Sequence, residues 1–233
     1  MTPEDEAFRA AASLAAWFGG VSVDVSGLAR AVGERVGDNL ALTPRRPGTT
    51  LSGLEPFSRE FLAAHDFAVG AGAIFAEQST ETGGRALEWW SRNETGVVEK
   101  LLFDLTPGSD RYYDYEKLPF FSIAASTGHQ TLWGPYVDYL GFEDYILTFT
   151  TPFSVHGRFA GVAGCDLRLR DVERIFIPIL RRVPGNAALL NGSDRVILGN
   201  SGTYLTGERV KPGQGARIAL DVPHLGLTLL HTP

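Results

Sequence analysis

The stretch YILTFTTPFSVHGRFAGVAGCDLRL, residues 145–169, sets the fold class. Its two halves, 145–153 and 157–169, are built from β-branched, aromatic and glycine residues, the composition of pleated, packed strands. SVHG at 154–157 separates them, and a connection that short closes an antiparallel pair. The period then changes. RDVERIFIPILRRV, 170–183, places Val172, Ile175, Phe176 and Ile179 on one face of an amphipathic helix.

Toward the N-terminus, FAVGAGAIFAEQ (67–78) and RALEWWSR (85–92) read as two further strands joined by a Thr/Gly-rich turn at 80–84. SDRYYDYEKLPFFSIAAS (109–126) begins with a capping Ser or Asp and is expected to be helical as far as Leu118, where Pro119 interrupts it. On the C-terminal side, NAALLNG and RVILGN surround Ser193-Asp194 as strands, and ARIALDVPHLGLTLLHTP forms a last hairpin. Before residue 65 the pattern is helical. Thr2-Pro3-Glu4 starts a helix with Phe8, Leu14, Trp17 and Phe18 on its apolar face, and Gly19-Gly20 is expected to end it. A second helix runs from Val25 to Leu40, TPRRPGTT (43–50) is a connector, and a third helix spans about Leu54 to Ala64. Helices followed by an antiparallel sheet define an α+β fold. No repeat and no sustained heptad pattern is read.

Composition narrows the function. A net charge of −6 argues against nucleic acid as the partner, since phosphate binding needs a concentrated basic face. The pairs Arg45-Arg46 and Arg181-Arg182 read as loop or helix-end features. A single cysteine, Cys165, excludes a disulfide-stapled scaffold. Three acids precede the small-residue run of the N-terminus and no basic segment does, so it is not read as a signal peptide. The run that Gly19-Gly20 closes is shorter than the ~20 apolar residues a membrane span takes. The expectation is a cytoplasmic protein that makes no membrane contact.

Enzymatic signatures are missing. Gly70-Ala71-Gly72 lacks the third glycine and following helix of a dinucleotide site. There is no P-loop, HExxH or GxSxG, and GNSG at 199–202 has turn composition. His65, His129, His156, His224 and His231 stand singly, without metal-ligand spacing. No cofactor or metal is expected.

What remains are three segments that mix aromatics with carboxylates: YYDYEKLPFF (112–121), WGPYVDY (133–139) and GVAGCD (161–166). In this order and spacing they resemble the Cache (PDC-type) sensor domains, extended PAS-like ligand-binding modules common in bacterial receptors. The resemblance covers residues 54–233, leaving 1–53 as an N-terminal helical segment that packs on the domain or dimerises. It implies a PAS-like antiparallel sheet with helices on one side. The amino-acid-sensing subset carries Tyr, an Arg five residues on, Trp-Tyr, Tyr-x-Asp and Gly-x-Asp. This chain has Tyr113, Leu118 in the arginine position, Phe120-Phe121, Tyr136-Val137-Asp138 and Gly164-Cys165-Asp166.

The resemblance therefore implies a ligand site at Tyr113, Tyr115, Lys117, Phe120, Phe121, Trp133, Tyr136, Asp138 and Asp166. Two aspartates among aromatic faces suit a small amine or other organic cation. The guanidinium that would hold a carboxylate in a bidentate grip is absent. An inward-turned Lys117 would instead allow a small carboxylate or amino acid. The reading is a non-enzymatic sensor that signals through a separately encoded protein or a homodimer. The alternative is a small hydrolase or lyase using Asp138 and Asp166 as acid and base.

Overall fold

In the computed structural model the opening stretch is a β-hairpin, β5 (Asp144–Val155) and β6 (Arg158–Arg168). The two strands are sheet neighbours joined through His156 and Gly157, whose φ values of 51° and 74° are those a tight hairpin turn requires. The structure describes residues 2–42, 53–79, 85–138 and 144–232, without the side chains of 39–42 and 138. The expected connector at 43–50, the turn at 80–84 and Tyr139 lie outside the described residues.

Two sheets form. The larger has six strands in the order β3-β2-β1-β6-β5-β4, with β1 at Ala68–Phe75, β2 at Ala86–Arg92, β3 at Val98–Lys100 and β4 at Thr131–Asp138. β1 and β2 pair antiparallel, with Gly72 opposite Trp89 and Phe75 opposite Ala86. The smaller has four strands in the order β8-β7-β10-β9, with β7 at Asn186–Leu190, β8 at Val196–Gly199, β9 at Ala216–Ala219 and β10 at Thr228–Thr232. The last two are the expected terminal hairpin. The α+β class with an N-terminal helix is as read.

The chain divides into two compact units. One comprises residues 24–131 and 148–166 and holds β1–β3 with most of β5 and β6. Its core includes Leu62 of α2 (Glu55–Ala64), with Ile74, Phe75, Tyr115, Phe121, Phe149 and Val162. The other comprises residues 1–23, 132–147 and 167–233. There α4 (Leu169–Leu180) buries Leu169, Val172, Phe176 and Leu180, with Ile175 and Ile179 at the margins. Trp17 and Phe18 meet the Phe176 ring at centroid distances of 4.9 and 5.3 Å.

Two helical expectations are corrected. The N-terminal helix does not stop at Gly19-Gly20: α1 runs unbroken from Pro3 to Leu42. Two mid-helix glycines cost about 1 kcal/mol each against alanine. Ala7, Ala11, Leu14, Phe18, Val21, Val25, Leu28 and Val32 are all buried, at alternating steps of four and three residues, and they carry the helix through that weak point. This is a heptad-spaced stripe where none was read, hidden because small residues and the glycine pair divide it. The segment 109–118 is not a helix; it is turns ending in a single 3₁₀ turn, Tyr115–Lys117. Pro119 begins α3 (Pro119–Thr127) rather than ending a helix. Its missing N–H and fixed φ suit the first helical position, and it holds Leu118 extended at ψ 140°.

Candidate functional site

Asp166 lies near the end of β6 and is 6 % exposed, in a strand whose neighbours 160–167 are all buried. Small residues bring the backbone of β6 close to its neighbour: a Cβ at Gly164 would stand 2.1 Å from the Phe149 carbonyl oxygen of β5. Each carboxylate oxygen of Asp166 accepts a hydrogen bond. Thr148 Oγ1, on β5, donates to Oδ1 at 2.7 Å, and Trp89 Nε1, on β2, donates to Oδ2 at 2.9 Å. A carboxylate taken out of water is tolerable only when it is hydrogen-bonded in this way. Both donors come from the unit that holds Asp166. Neither was singled out in the sequence, since nothing local links Asp166 to positions 18 and 77 residues away. Cys165, beside Asp166, is fully buried; burial, with the Asp166 and Asp24 charges, pushes its thiol well above the usual range, so it is no nucleophile.

The aromatic segment divides by depth. Tyr115 is fully buried and belongs to the core: its hydroxyl donates to the Phe75 carbonyl at 2.7 Å and accepts from the Ala86 N–H at 3.0 Å. Burial pushes this phenol up to about 12. Its ring packs on Phe121, which in turn meets Phe159. Phe120 is 4 % exposed, and its carbonyl accepts from Thr150 Oγ1 at 2.6 Å. Tyr113 is half-buried and stacks on Phe103 at 4.6 Å. Lys117 does not turn inward. Its side chain is 83 % exposed and pairs with Asp114 at 2.8 Å.

A cation the sequence reading missed organises this segment. Arg85, 12 % exposed at the side chain, bonds Asp114, lies 3.7 Å from Glu77 and 4.0 Å from Glu116, and stands over the Tyr112 ring at 5.1 Å. It ties the start of β2 to the turn that carries Tyr113 and Tyr115.

Trp133 and Tyr136 belong to the other unit, on β4, and both are half-buried. Asp138 ends the same strand, and its side chain lies outside the described residues. Gly134-Pro135 sits within β4, joined by a cis peptide bond, and Asn191 Nδ2 donates to the Gly134 carbonyl. Among the described residues no group of three or more His, Cys, Asp or Glu is arranged to hold a metal ion.

A family model, the methyl-accepting chemotaxis protein-like first PDC sensor domain, matches residues 54–174, just over half the chain. Solved structures share the fold. One titled methyl-accepting chemotaxis protein X is 16 % identical, with 97 % of this chain and 95 % of that chain covered and a TM-score of 0.65. The extracellular domain of the putative histidine kinase soHK1S-Z6 is 13 % identical, with 97 % and 91 % covered and a TM-score of 0.61. The ligand-binding domain of the Pseudomonas aeruginosa amino acid chemoreceptor PctB, solved with L-Arg, is 15 % identical, with 97 % and 91 % covered and a TM-score of 0.59. These findings overturn the cytoplasmic expectation: the matching domains are sensor modules of chemoreceptors and an extracellular kinase domain. The premise behind it fails as well. Because α1 continues through Gly19-Gly20, its stretch Pro3–Asp38 is long and apolar enough, by length and composition, to cross a membrane.

Proposed function

Because the chain belongs to the family of methyl-accepting chemotaxis protein-like first PDC sensor domains, non-enzymatic small-molecule sensors, we propose that its ligand is a small organic cation, an amine, whose ammonium group is accepted by Asp166. The observation that carries this reading is the buried Asp166 carboxylate, held by Trp89 and Thr148 so that both oxygens face donors. Leu118 stands where a carboxylate-binding arginine would be, and Lys117 is paired outward to Asp114, which favours a ligand without an essential carboxylate. L-Arg, with which the Pseudomonas aeruginosa PctB domain was solved, carries an ammonium group and a guanidinium.

Tyr113, Phe120 and Phe121 are the proposed apolar side of the site, with Tyr115 supporting them from the core. Trp133, Tyr136 and Asp138 are proposed from the family pattern alone. Residues 54–233 are assigned the sensing role and 1–53 a helical packing and dimerising role. The second copy is supported by α1, where a Cβ at Gly19, Gly20 or Gly27 would meet nothing within 4 Å. Among the described residues no contact requires glycine there, whereas close helix–helix approach uses small residues. The output passes to a partner protein. Calorimetry with butylamine, L-arginine and simple carboxylates tests the ligand class: the amines bind and Asp166→Asn abolishes it. Tight binding of a simple acid with no amine binding overturns the reading.

A further inference from the structure

Trp89 was no part of the sequence-derived site, yet the sheet is built to let it reach Asp166. It sits on β2, and Asp166 on β6 is two strands away, with β1 between them. Trp89 is opposite Gly72 in the β1–β2 register. A Cβ on Gly72 would stand 2.8 Å from the Trp89 Cα, 2.9 Å from its Cε3 and 2.0 Å from the Glu88 carbonyl oxygen. Contacts under 3.0 Å to backbone do not occur in real side chains, so position 72 tolerates only glycine while the indole lies across β1. Gly72, the last residue of the isolated GxG, thus leaves room for the close approach of Trp89, whose indole is 4 % exposed.

We infer that Trp89 is a positioning residue that makes the sensor selective for a charged hydrogen-bond donor over a neutral ligand. This rests on Asp166 as the ligand-binding carboxylate. An indole N–H donates and cannot accept, so the Oδ2 atom it faces has to be an acceptor. Thr148 donates to Oδ1 from the opposite side of β6. A proton on Oδ2 would meet the indole N–H, which cannot turn to accept, whereas the Thr148 hydroxyl at Oδ1 could, so the bias toward the anion comes from Trp89. The clamp favours the anion and fixes the direction of its lone pairs; a protonated amine adds ion-pair attraction to the hydrogen bond it donates there, whereas an alcohol or amide offers only a neutral donor. A plain hydrophobic residue at 89 would fill the same space without this bias.

The chain has four tryptophans, so its full-length ¹⁵N spectrum carries four indole N–H resonances, and Trp89→Phe identifies that of Trp89 by its loss. The expected results are a Trp89 indole proton that moves in Asp166→Asn without any ligand, and moves again when wild type is saturated with L-arginine or butylamine. Trp89→Phe and Thr148→Val each weaken butylamine binding about tenfold, the scale of a hydrogen bond to a charged group. If Trp89→Phe does not fold, nuclear Overhauser contacts within the wild-type chain assign the Trp89 indole resonance, and the Asp166→Asn spectrum and Thr148→Val still decide. A Trp89 resonance indifferent to Asp166→Asn, or Trp89→Phe binding within about twofold of wild type, overturns the inference. Asp166→Asn binding both probes like wild type removes the Asp166 reading beneath it instead. Should neither probe bind wild type, the unliganded Asp166→Asn spectrum alone supports or overturns the clamp.

Discussion

Replacing Tyr115 by phenylalanine separates a core tyrosine from a ligand-binding one. The ring is fully buried, and its hydroxyl serves the Phe75 carbonyl at 2.7 Å and the Ala86 N–H at 3.0 Å, the groups of one β1–β2 register pair. Tyr115→Phe keeps the ring and strands those two backbone groups, at about 2–3 kcal/mol for buried polar groups that lose their partner. For a chain of this length that lowers Tm by roughly 5–10 °C. A second readout is independent of the first. The phenol, held at about 12 in the fold, ionises near 10 when unfolded, so between pH 10 and 12 the unfolded state has released a proton that the folded state keeps. The stability that Tyr115 contributes is therefore complete below pH 10 and falls as pH rises toward 12, by about 2–3 kcal/mol. Urea titrations of wild type and Tyr115→Phe at pH 7, 10 and 11.5 give both quantities, because the other alkaline groups cancel in the difference. Equal stability at pH 7 with parallel alkaline slopes, combined with weakened amine binding, would refute the core assignment and return Tyr115 to the ligand site.

Arg85→Met releases the turn at Tyr115–Lys117 from β2 and leaves three half-buried carboxylates facing one another; it lowers stability by about 2–3 kcal/mol in urea unfolding. Lys117→Ala removes only an exposed ion pair, so Tm changes by no more than about 2 °C and calorimetric affinity for butylamine is unchanged. Gly72→Ala drives a Cβ into the Glu88 carbonyl and separates β1 from β2, and its Tm falls by more than that of Tyr115→Phe. Gly20→Leu projects into open space in one copy, so the monomer keeps its far-ultraviolet circular dichroism, while sedimentation shows a weakened dimer.

The strands were legible because period and composition are local. β5 and β6 carry β-branched and aromatic runs around a turn that admits positive φ, and α4 carries Val172 and Phe176 four residues apart on its buried face. The helix ends were misread where a residue has two uses. Gly19-Gly20 reads as a stop until the buried stripe from Leu14 to Val25 is seen to continue through it. Pro119 breaks a helix from within but begins one at its first turn, and neighbouring residues do not distinguish the two. In the site, Asp166 was visible because Gly-x-Asp is a contiguous pattern in the chain.

Its partners were not visible there. Trp89 and Thr148 stand 77 and 18 residues before Asp166 and meet it only because β2, β1, β6 and β5 lie side by side in that order. Arg85 likewise reaches Asp114 across 29 residues. The amino-acid sequence by itself determined β1, β2, β5 to β10 and α4, and which aspartate stands in a buried strand, since each depends on spacing along a few residues. Only the tertiary structure decided that Tyr115 is core, that Lys117 faces water and that an indole clamps Asp166. Burial and hydrogen-bond geometry are properties of neighbours in space, and strand order, which no local pattern encodes, chooses those neighbours.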